Sequence, residues 1–197
     1  MEITAQQDPL KLLQEWVRQA GTHPHIKEPT AMSLATLASD GSLHARVVLC
    51  KEISTQGLVF FTNYESRKGV EIAQHPQVSA VFYWDPLFKQ VKISGRVSKT
   101  AREVSEKYWA TRPRESQISQ SISHQSQPVP SAEVLHQQWQ EAEKRFGNQT
   151  IPCPAHWGGY LIQVERIEFW IGQPGRWHDR YEFERDQSRW TFRRLYP

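Results

Sequence analysis

The sequence predicts a mainly β (α+β) fold: an antiparallel barrel with flanking helices. Two observations predict it. Strand-like runs rich in β-branched and aromatic residues follow one another through short turns, with few strand–helix–strand units between them. No GxGxxG, P-loop, HExxH or GxSxG pattern occurs, so dinucleotide, NTPase, zincin and hydrolase chemistry has no local support. The 197 residues suffice for one domain with a sizeable core and show no internal repeat, so residues 1–197 are read as a single domain.

Each element has its own signal. Asp8-Pro9-Leu10 predicts a helix start, with Asp as N-cap and Pro at the first helical position. Leu10, Leu13, Trp16, Val17 and Ala20 then share a face, and Gly21 is placed to stop the helix. Residues 31–38 and 43–50 predict a hairpin around the turn Ser39-Asp40-Gly41. A third strand covers 58–62. Ser66 is a candidate N-cap for a short amphipathic helix that ends near His75-Pro76. Two more strands cover 78–84 and 90–97. A helix over 101–111 stops before Pro113, and Tyr108 and Arg112, four apart, share its face. Residues 116–126 have the Ser/Gln composition of a flexible linker, but Ile118 and Ile122 within them point to order. A helix over 131–146 and strands over 159–169, 177–184 and 189–195 complete the chain.

Composition excludes several classes. A net charge of +3 is too weak to argue for nucleic acid. No 18-residue apolar run predicts a membrane span, and the first residues, Met1-Glu2-Ile3-Thr4, predict no signal peptide. Cys50 and Cys153 stand alone, without metal-type spacing, so the expectation is no metal site and a reduced, cytoplasmic setting. Eight Trp suggest flat aromatic surfaces at a site or interface as well as core.

Three cation clusters carry candidate chemistry. Arg46-Val47-Val48-Leu49-Cys50-Lys51 is an apolar strand with a cation at each end: either solvated rims or two cations aimed at a phosphate. Arg67 and Lys68 fall in the first turn of a helix, where their charge opposes the dipole. An anion there would relieve that conflict and meet free backbone N–H groups as well. Arg176, His178 and Arg180 alternate along the chain. If it is extended from Arg176 onward, they project to one face, opposite Trp177 and Asp179. Guanidinium forks beside an imidazole suit an anionic, planar partner. A solvated strand edge with scattered charges would read the same way.

These clusters stand in an ordered set. It runs through the 46–51 stretch, Phe61-Thr62-Asn63, Ser66-Arg67-Lys68, Gln90-Val91, Tyr108 with Arg112-Pro113-Arg114-Glu115-Ser116-Gln117, Gln125-Ser126, Phe169-Trp170, the 176–180 stretch and the terminal Arg194-Leu195-Tyr196-Pro197. In this order, over about residues 8–197, the sequence resembles the pyridoxine/pyridoxamine 5′-phosphate oxidase family. The resemblance implies an FMN-binding split β-barrel. It implies a homodimer with flavin sites across the interface and a dimerisation and substrate-binding segment at about 150–197. FMN would be held by Arg46, Val47, Val48, Leu49, Cys50, Lys51, Phe61, Thr62, Arg67, Lys68 and Gln90. Gln125, Ser126, Trp170 and Arg180 would complete the site, in part from the partner subunit. Lys51, Tyr108, Arg112 and Ser116 would bind the substrate phosphate. Arg176 and His178, with Trp177 between them, would lie against the pyridine ring as the catalytic pair.

The implied reaction oxidises C4′ of pyridoxine or pyridoxamine 5′-phosphate to pyridoxal 5′-phosphate. O2 is the acceptor, giving H2O2, with ammonia released from the amine. Two rivals belong beside it: a related phenazine-type flavin oxidase acting on a ring without phosphate, and a non-catalytic flavin- or pyridoxal-phosphate-binding protein. The chain departs from the family in one respect. Family members commonly carry an N-terminal Arg-Arg-x-Tyr segment that closes over the substrate, whereas only seven residues precede Asp8 and none is Arg or Tyr. The expectation is a lid that is missing or replaced.

Overall fold

A computed structural model describes residues 2–187 and 189–197. Helix α1 (Pro9–Thr22) begins where Asp8 Oδ1 accepts from the backbone N–H of Leu10 at 2.8 Å and of Lys11 at 3.2 Å. Its apolar face, Leu10, Leu13, Trp16 and Ala20, is buried, and Trp16 meets Phe169 edge-on at 5.0 Å. Strands β1 (Ala31–Leu37) and β2 (Leu43–Ser54) form the expected hairpin. Asp40 Oδ1 holds its turn by accepting from Ser42 N at 2.9 Å and Ser42 Oγ at 2.6 Å.

The chain continues through β3 (Gly57–Asn63), α2 (Arg67–Gln74), β4 (Gln77–Trp84) and β5 (Lys89–Lys99). Three helices follow: α3 (Arg102–Ala110), α4 (Arg114–Ile122) and α5 (Ala132–Phe146). The Ser/Gln-rich stretch is therefore helical in its first half, because Ile118 is buried against Trp109, Ala142, Ile151 and Trp157 in a small second core. The chain ends with β6 (Trp157–Ile171), β7 (Asp179–Asp186) and β8 (Arg189–Leu195).

All strand pairs are antiparallel, in the order β3-β2-β1-β4-β5-β6-β7-β8. A further β3–β6 pairing closes the first six strands into a barrel. Its interior holds Phe60, Phe82, Ile93, Ile162 and Phe169, all buried. Each contributes about 1.5–3 kcal/mol through removal from water. The 15-residue β6 makes this topology possible. Its first half, Trp157 to Ile162, pairs with β3, and its second half, Arg166 to Ile171, pairs with β7. Between them Ser94 faces Arg166 while Gly95 faces Val164, so Glu165 is an extra residue. Such a bulge bends and twists a strand, and here it turns β6 from one partner to the other. Gly95 is required opposite it, since a Cβ there would lie 2.1 Å from Gln163 O. Among the described residues no helix is long and apolar enough to cross a membrane.

The barrel closes tightly at Gly57, which has φ +140° and where a Cβ would stand 1.9 Å from Ile162 O. Gly57→Ala is therefore expected to destabilise the protein by on the order of 2 kcal/mol, through backbone strain and a parted β3–β6 seam. That corresponds to a melting temperature lower by roughly 4–8 °C. A melting curve within a degree of wild type would show that the seam does not close as described.

Candidate functional site

A cavity of about 420 Å³ opens where β2, the end of β3, α2 and the α3–α4 corner meet. β2 contributes Arg46, Val47, Val48, Leu49 and Lys51; β3 contributes Phe61 and Thr62; α2 contributes Lys68. Tyr108, Arg112 and Ser116 come from α3, the corner and α4, and Gln125 from the connection that follows. One protomer thus gathers most of the residues read as cofactor-binding and all four read as phosphate-binding.

Lys68 is the electrostatic centre of this cavity. Ser66 caps α2, its hydroxyl accepting from Gly69 N at 3.3 Å, and this sets Lys68 in the first turn with its side chain turned inward. Its Nζ donates to Thr62 Oγ1 at 3.1 Å, Ser66 Oγ at 3.1 Å and Gln125 Oε1 at 2.9 Å, all neutral acceptors. Burial, and then the charge of Arg46, push its pKa down to about 8, which the charge of Glu71 only partly offsets. Arg46 is fixed from behind. Its Nη1 donates to Leu34 O at 3.2 Å and Thr36 Oγ1 at 2.6 Å, and its Nη2 to Glu71 Oε2 at 3.2 Å.

The other end of the cavity is aromatic and cationic. Phe61 stacks on Tyr108 at 4.0 Å and on Trp157 at 5.5 Å. The Arg112 guanidinium lies over the Trp157 ring at 4.9 Å. Its Nε is buried and finds no acceptor among the described residues, and burial lowers its pKa. A buried donor without a partner costs about 1–3 kcal/mol. Two desolvated cations in one cavity suit an anionic ligand.

Several residues lie elsewhere. Arg67 is exposed and, with Ser126, lines an adjoining open groove of about 600 Å³ that shares Gln125 with the cavity. Cys50 is buried in the barrel core, and burial pushes its thiol up to about 12; its side chain does not line the cavity. Gln125, one of the four residues expected to complete the site in part from a partner, bonds Lys68 of its own chain.

A second cluster forms on β5, β6 and β7. Gln90, Trp170 and Arg180 are direct cross-strand neighbours in one row. Arg180 is held by Glu168, Nε to Oε1 at 2.8 Å and Nη2 to Oε2 at 3.1 Å, while its Nη1 donates to Tyr196 O at 3.0 Å. Glu168 is buried and also pairs with Lys92 at 2.6 Å. The His178 ring lies 4.6 Å from that of Trp170, and its Nδ1 accepts from Gln173 N at 3.1 Å.

The expected extended run from Arg176 is not present. Pro174–Arg176 is a 3-10 turn in which Gly175 has φ +68° and Arg176 φ +61°, and β7 begins only at Asp179. Arg176 and His178 therefore do not share a strand face; the turn redirects the chain between Trp170 and β7. None of Gln90, Trp170, Arg176, Trp177, His178 and Arg180 lines the 420 Å³ cavity of the same chain. Sequence reasoning missed Thr36, His44 and Glu71, which surround Arg46, because nothing in their spacing marks a charge network.

Comparison with known proteins identifies the family. The family model described as pyridoxamine 5′-phosphate oxidase matches residues 22–146, and that of the pyridoxine 5′-phosphate oxidase C-terminal dimerisation region matches residues 157–197. The chain is 44% identical to a pyridoxine/pyridoxamine 5′-phosphate oxidase of Chromohalobacter salexigens, over 98% of this chain and 91% of that protein. Among solved structures it is similar to PhzG from Burkholderia lata 383, in complex with tetrahydrophenazine-1-carboxylic acid, with a TM-score of 0.90 and 31% identity over 96% of this chain and 93% of that one. A pyridoxamine 5′-phosphate oxidase-related, FMN binding protein from Nostoc punctiforme shares the fold, with a TM-score of 0.74 at 13% identity over 100% of this chain and 99% of that one. By these matches, which together span almost its whole length, the chain belongs to the pyridoxine/pyridoxamine 5′-phosphate oxidase family.

Proposed function

We propose that this chain is an FMN-dependent oxidase that converts pyridoxine or pyridoxamine 5′-phosphate to pyridoxal 5′-phosphate with O2 as acceptor. One observation carries the reading: two desolvated cations, Lys68 and Arg112, line the same cavity, as two phosphates would require. Lys68 and Arg46 would hold the FMN phosphate, with Arg67, Thr62 and Gln125 around it. Arg112, Lys51, Tyr108 and Ser116 would hold the phosphate of the substrate. When bound, FMN would supply the two-electron redox chemistry that links oxidation of the substrate to reduction of O2 to H2O2.

The chain's own task is then to bind and orient. Phe61 and Tyr108 offer a flat face for an aromatic ring. The phosphate grip at Arg112 places the reacting carbon, a remote interaction that fixes geometry without sharing in the bond changes. His178 accepts at Nδ1, so its neutral ring carries the proton on Nε2 and presents a donor there. Since Trp170, Arg176, His178 and Arg180 lie outside this cavity in their own chain, a homodimer would supply them from the partner. The match of residues 157–197 to a dimerisation region supports that arrangement. We read residues 1–197 as one domain whose segment at about 150–197 serves dimer formation and substrate binding. A cytoplasmic setting would suit the two free cysteines.

The similarity to PhzG favours a second reading, an oxidase acting on a ring that bears a carboxylate. The Lys51, Tyr108, Arg112 and Ser116 set around an unpaired buried donor fits phosphate better. The purified protein should be yellow, and its colour should bleach anaerobically with pyridoxine 5′-phosphate. A yellow protein that keeps its colour would refute the substrate while leaving the cofactor.

Lys68→Ala and Arg67→Ala should weaken FMN binding, each by roughly 1.5–3 kcal/mol, the net worth of a charge-assisted bond. Full flavin occupancy and unchanged affinity in both variants would remove the cofactor assignment. Arg176→Ala should lower kcat/KM at least about tenfold, or about 1.4 kcal/mol, with FMN affinity nearly unchanged. Arg112→Ala should mainly raise KM. Steady-state kinetics with flavin titration reads both effects, and wild-type kcat/KM in Arg176→Ala would leave the 172–180 stretch as scaffold.

A further inference from the structure

Behind the cavity stands a carboxylate that the proposed reaction does not use. Glu71 lies on α2, three residues after Lys68 and so on the same helical face. It is buried, yet it sits among polar groups from two strands. From β1, Thr36 Oγ1 donates to Glu71 Oε2. From β2, Arg46 Nη2 donates to the same oxygen at 3.2 Å, and His44 Nδ1 meets Oε1 at 2.7 Å. His44 in turn borders the open groove together with Asp40 and Arg67.

We propose that Glu71 is a positioning residue of the anion cavity: it fixes Arg46 from behind and supplies the negative charge that keeps the Arg46–Lys68 pair doubly charged as pH rises. The inference rests on the reading of the cavity as a phosphate site. Burial pushes the Glu71 pKa up, but hydrogen bonds from Thr36 and His44 and the charges of His44 and Arg46 hold it below the ordinary carboxylate value, so it is ionised throughout the neutral range. Arg46 from β2 opposes the Lys68 proton and Glu71 from its own helix favours it, while the cations Lys51 of β2 and Arg112 of the α3–α4 corner line the same cavity.

The sign follows directly. The Lys68 pKa lies near 8 and its ordinary value is 10.5. A bound phosphate raises it again, so binding takes up a proton above pH about 8, and affinity falls as pH rises past that point. Below pH about 6 a phosphate monoester dianion takes up a proton and loses one unit of charge. Phosphate affinity is thus highest between about 6 and about 8. Without the Glu71 charge, Arg46 opposes Lys68 alone, and the alkaline fall begins earlier.

The test is FMN affinity of the full-length protein by flavin fluorescence quenching, from about pH 6 to about pH 10. Glu71→Gln is expected to move the alkaline fall down by about one unit, the effect of one neighbouring charge. Near pH 6.5 its affinity is expected to drop severalfold, because Arg46 loses its support from behind, and the shifted alkaline fall adds to that loss. Arg46→Gln should move the fall upward, whatever it does to absolute affinity. Glu71→Leu, which leaves no buried amide to satisfy, serves beside Glu71→Gln should the amide disturb folding. A fall that stays at the wild-type pH in the neutral variants, or a loss of affinity equal at every pH, overturns the proposal and reduces Glu71 to scaffold. Wild type that binds no FMN at any pH would instead overturn the reading of the cavity.

Discussion

Strand β6 has to satisfy three neighbours, and the rest of the architecture depends on where it changes between two of them. It keeps β5 along most of its length and exchanges β3 for β7 at the Glu165 bulge. Backbone N–H and C=O groups left behind in a buried sheet are costly, so the exchange needs a defined break. The bulge provides one, and Gly95 leaves room for it. On one side of the break the barrel closes and its wall forms the cavity with α2 and the α3–α4 corner. On the other, β7 and β8 extend as a flap of sheet that carries Arg180, with the 174–176 turn just before it. The division of the candidate site residues into two groups is thus a consequence of one strand's pairing.

The two groups share an electrostatic device. In each, a buried carboxylate fixes an arginine: Glu71 holds Arg46, and Glu168 holds Arg180 with Lys92. Buried ion pairs rarely add much net stability, because desolvation offsets the attraction. What they do well is to hold a guanidinium in one orientation. Among the described residues Lys68 and Arg112 have no such carboxylate partner, and burial lowers the pKa of both, as it does that of Lys89. In the cavity, Arg46 with its carboxylate thus stands beside Lys68 and Arg112 without one, a mix expected where one cation is built in advance and others meet a ligand.

Much of the barrel was legible in the sequence because its strands are amphipathic ribbons. The turns at Asp40 and the caps at Asp8 and Ser66 use side chains with a local hydrogen-bonding job, and each caps or turns the chain as its type suggests. The start of β7 was not legible. A positive φ at Arg176 is set by its neighbours, not by its side chain, so alternation of Arg176, His178 and Arg180 misled. The α4 helix was half legible, since Ile118 signalled order while the surrounding Ser and Gln did not name its form. Of the site, the ordered motifs brought Arg46, Lys51, Lys68, Tyr108 and Arg112 to one cavity. Glu71 escaped, because a glutamate on a short amphipathic helix reads as a solvated residue until the strand beneath it supplies Arg46 and His44.

The exposed cost of Lys68 and Arg112 has a consequence for the folded chain as a whole. Any phosphate ligand that enters the cavity binds the native state and has no such site on the unfolded one. Mass action then couples ligand supply to folding: a ligand at a hundred times its Kd adds about 2.7 kcal/mol to native stability. For a protein of ordinary margin that is a sizeable fraction of the whole. The steady-state abundance of the chain inside a cell would then follow the concentration of its ligand, through the share of molecules open to proteases at any moment.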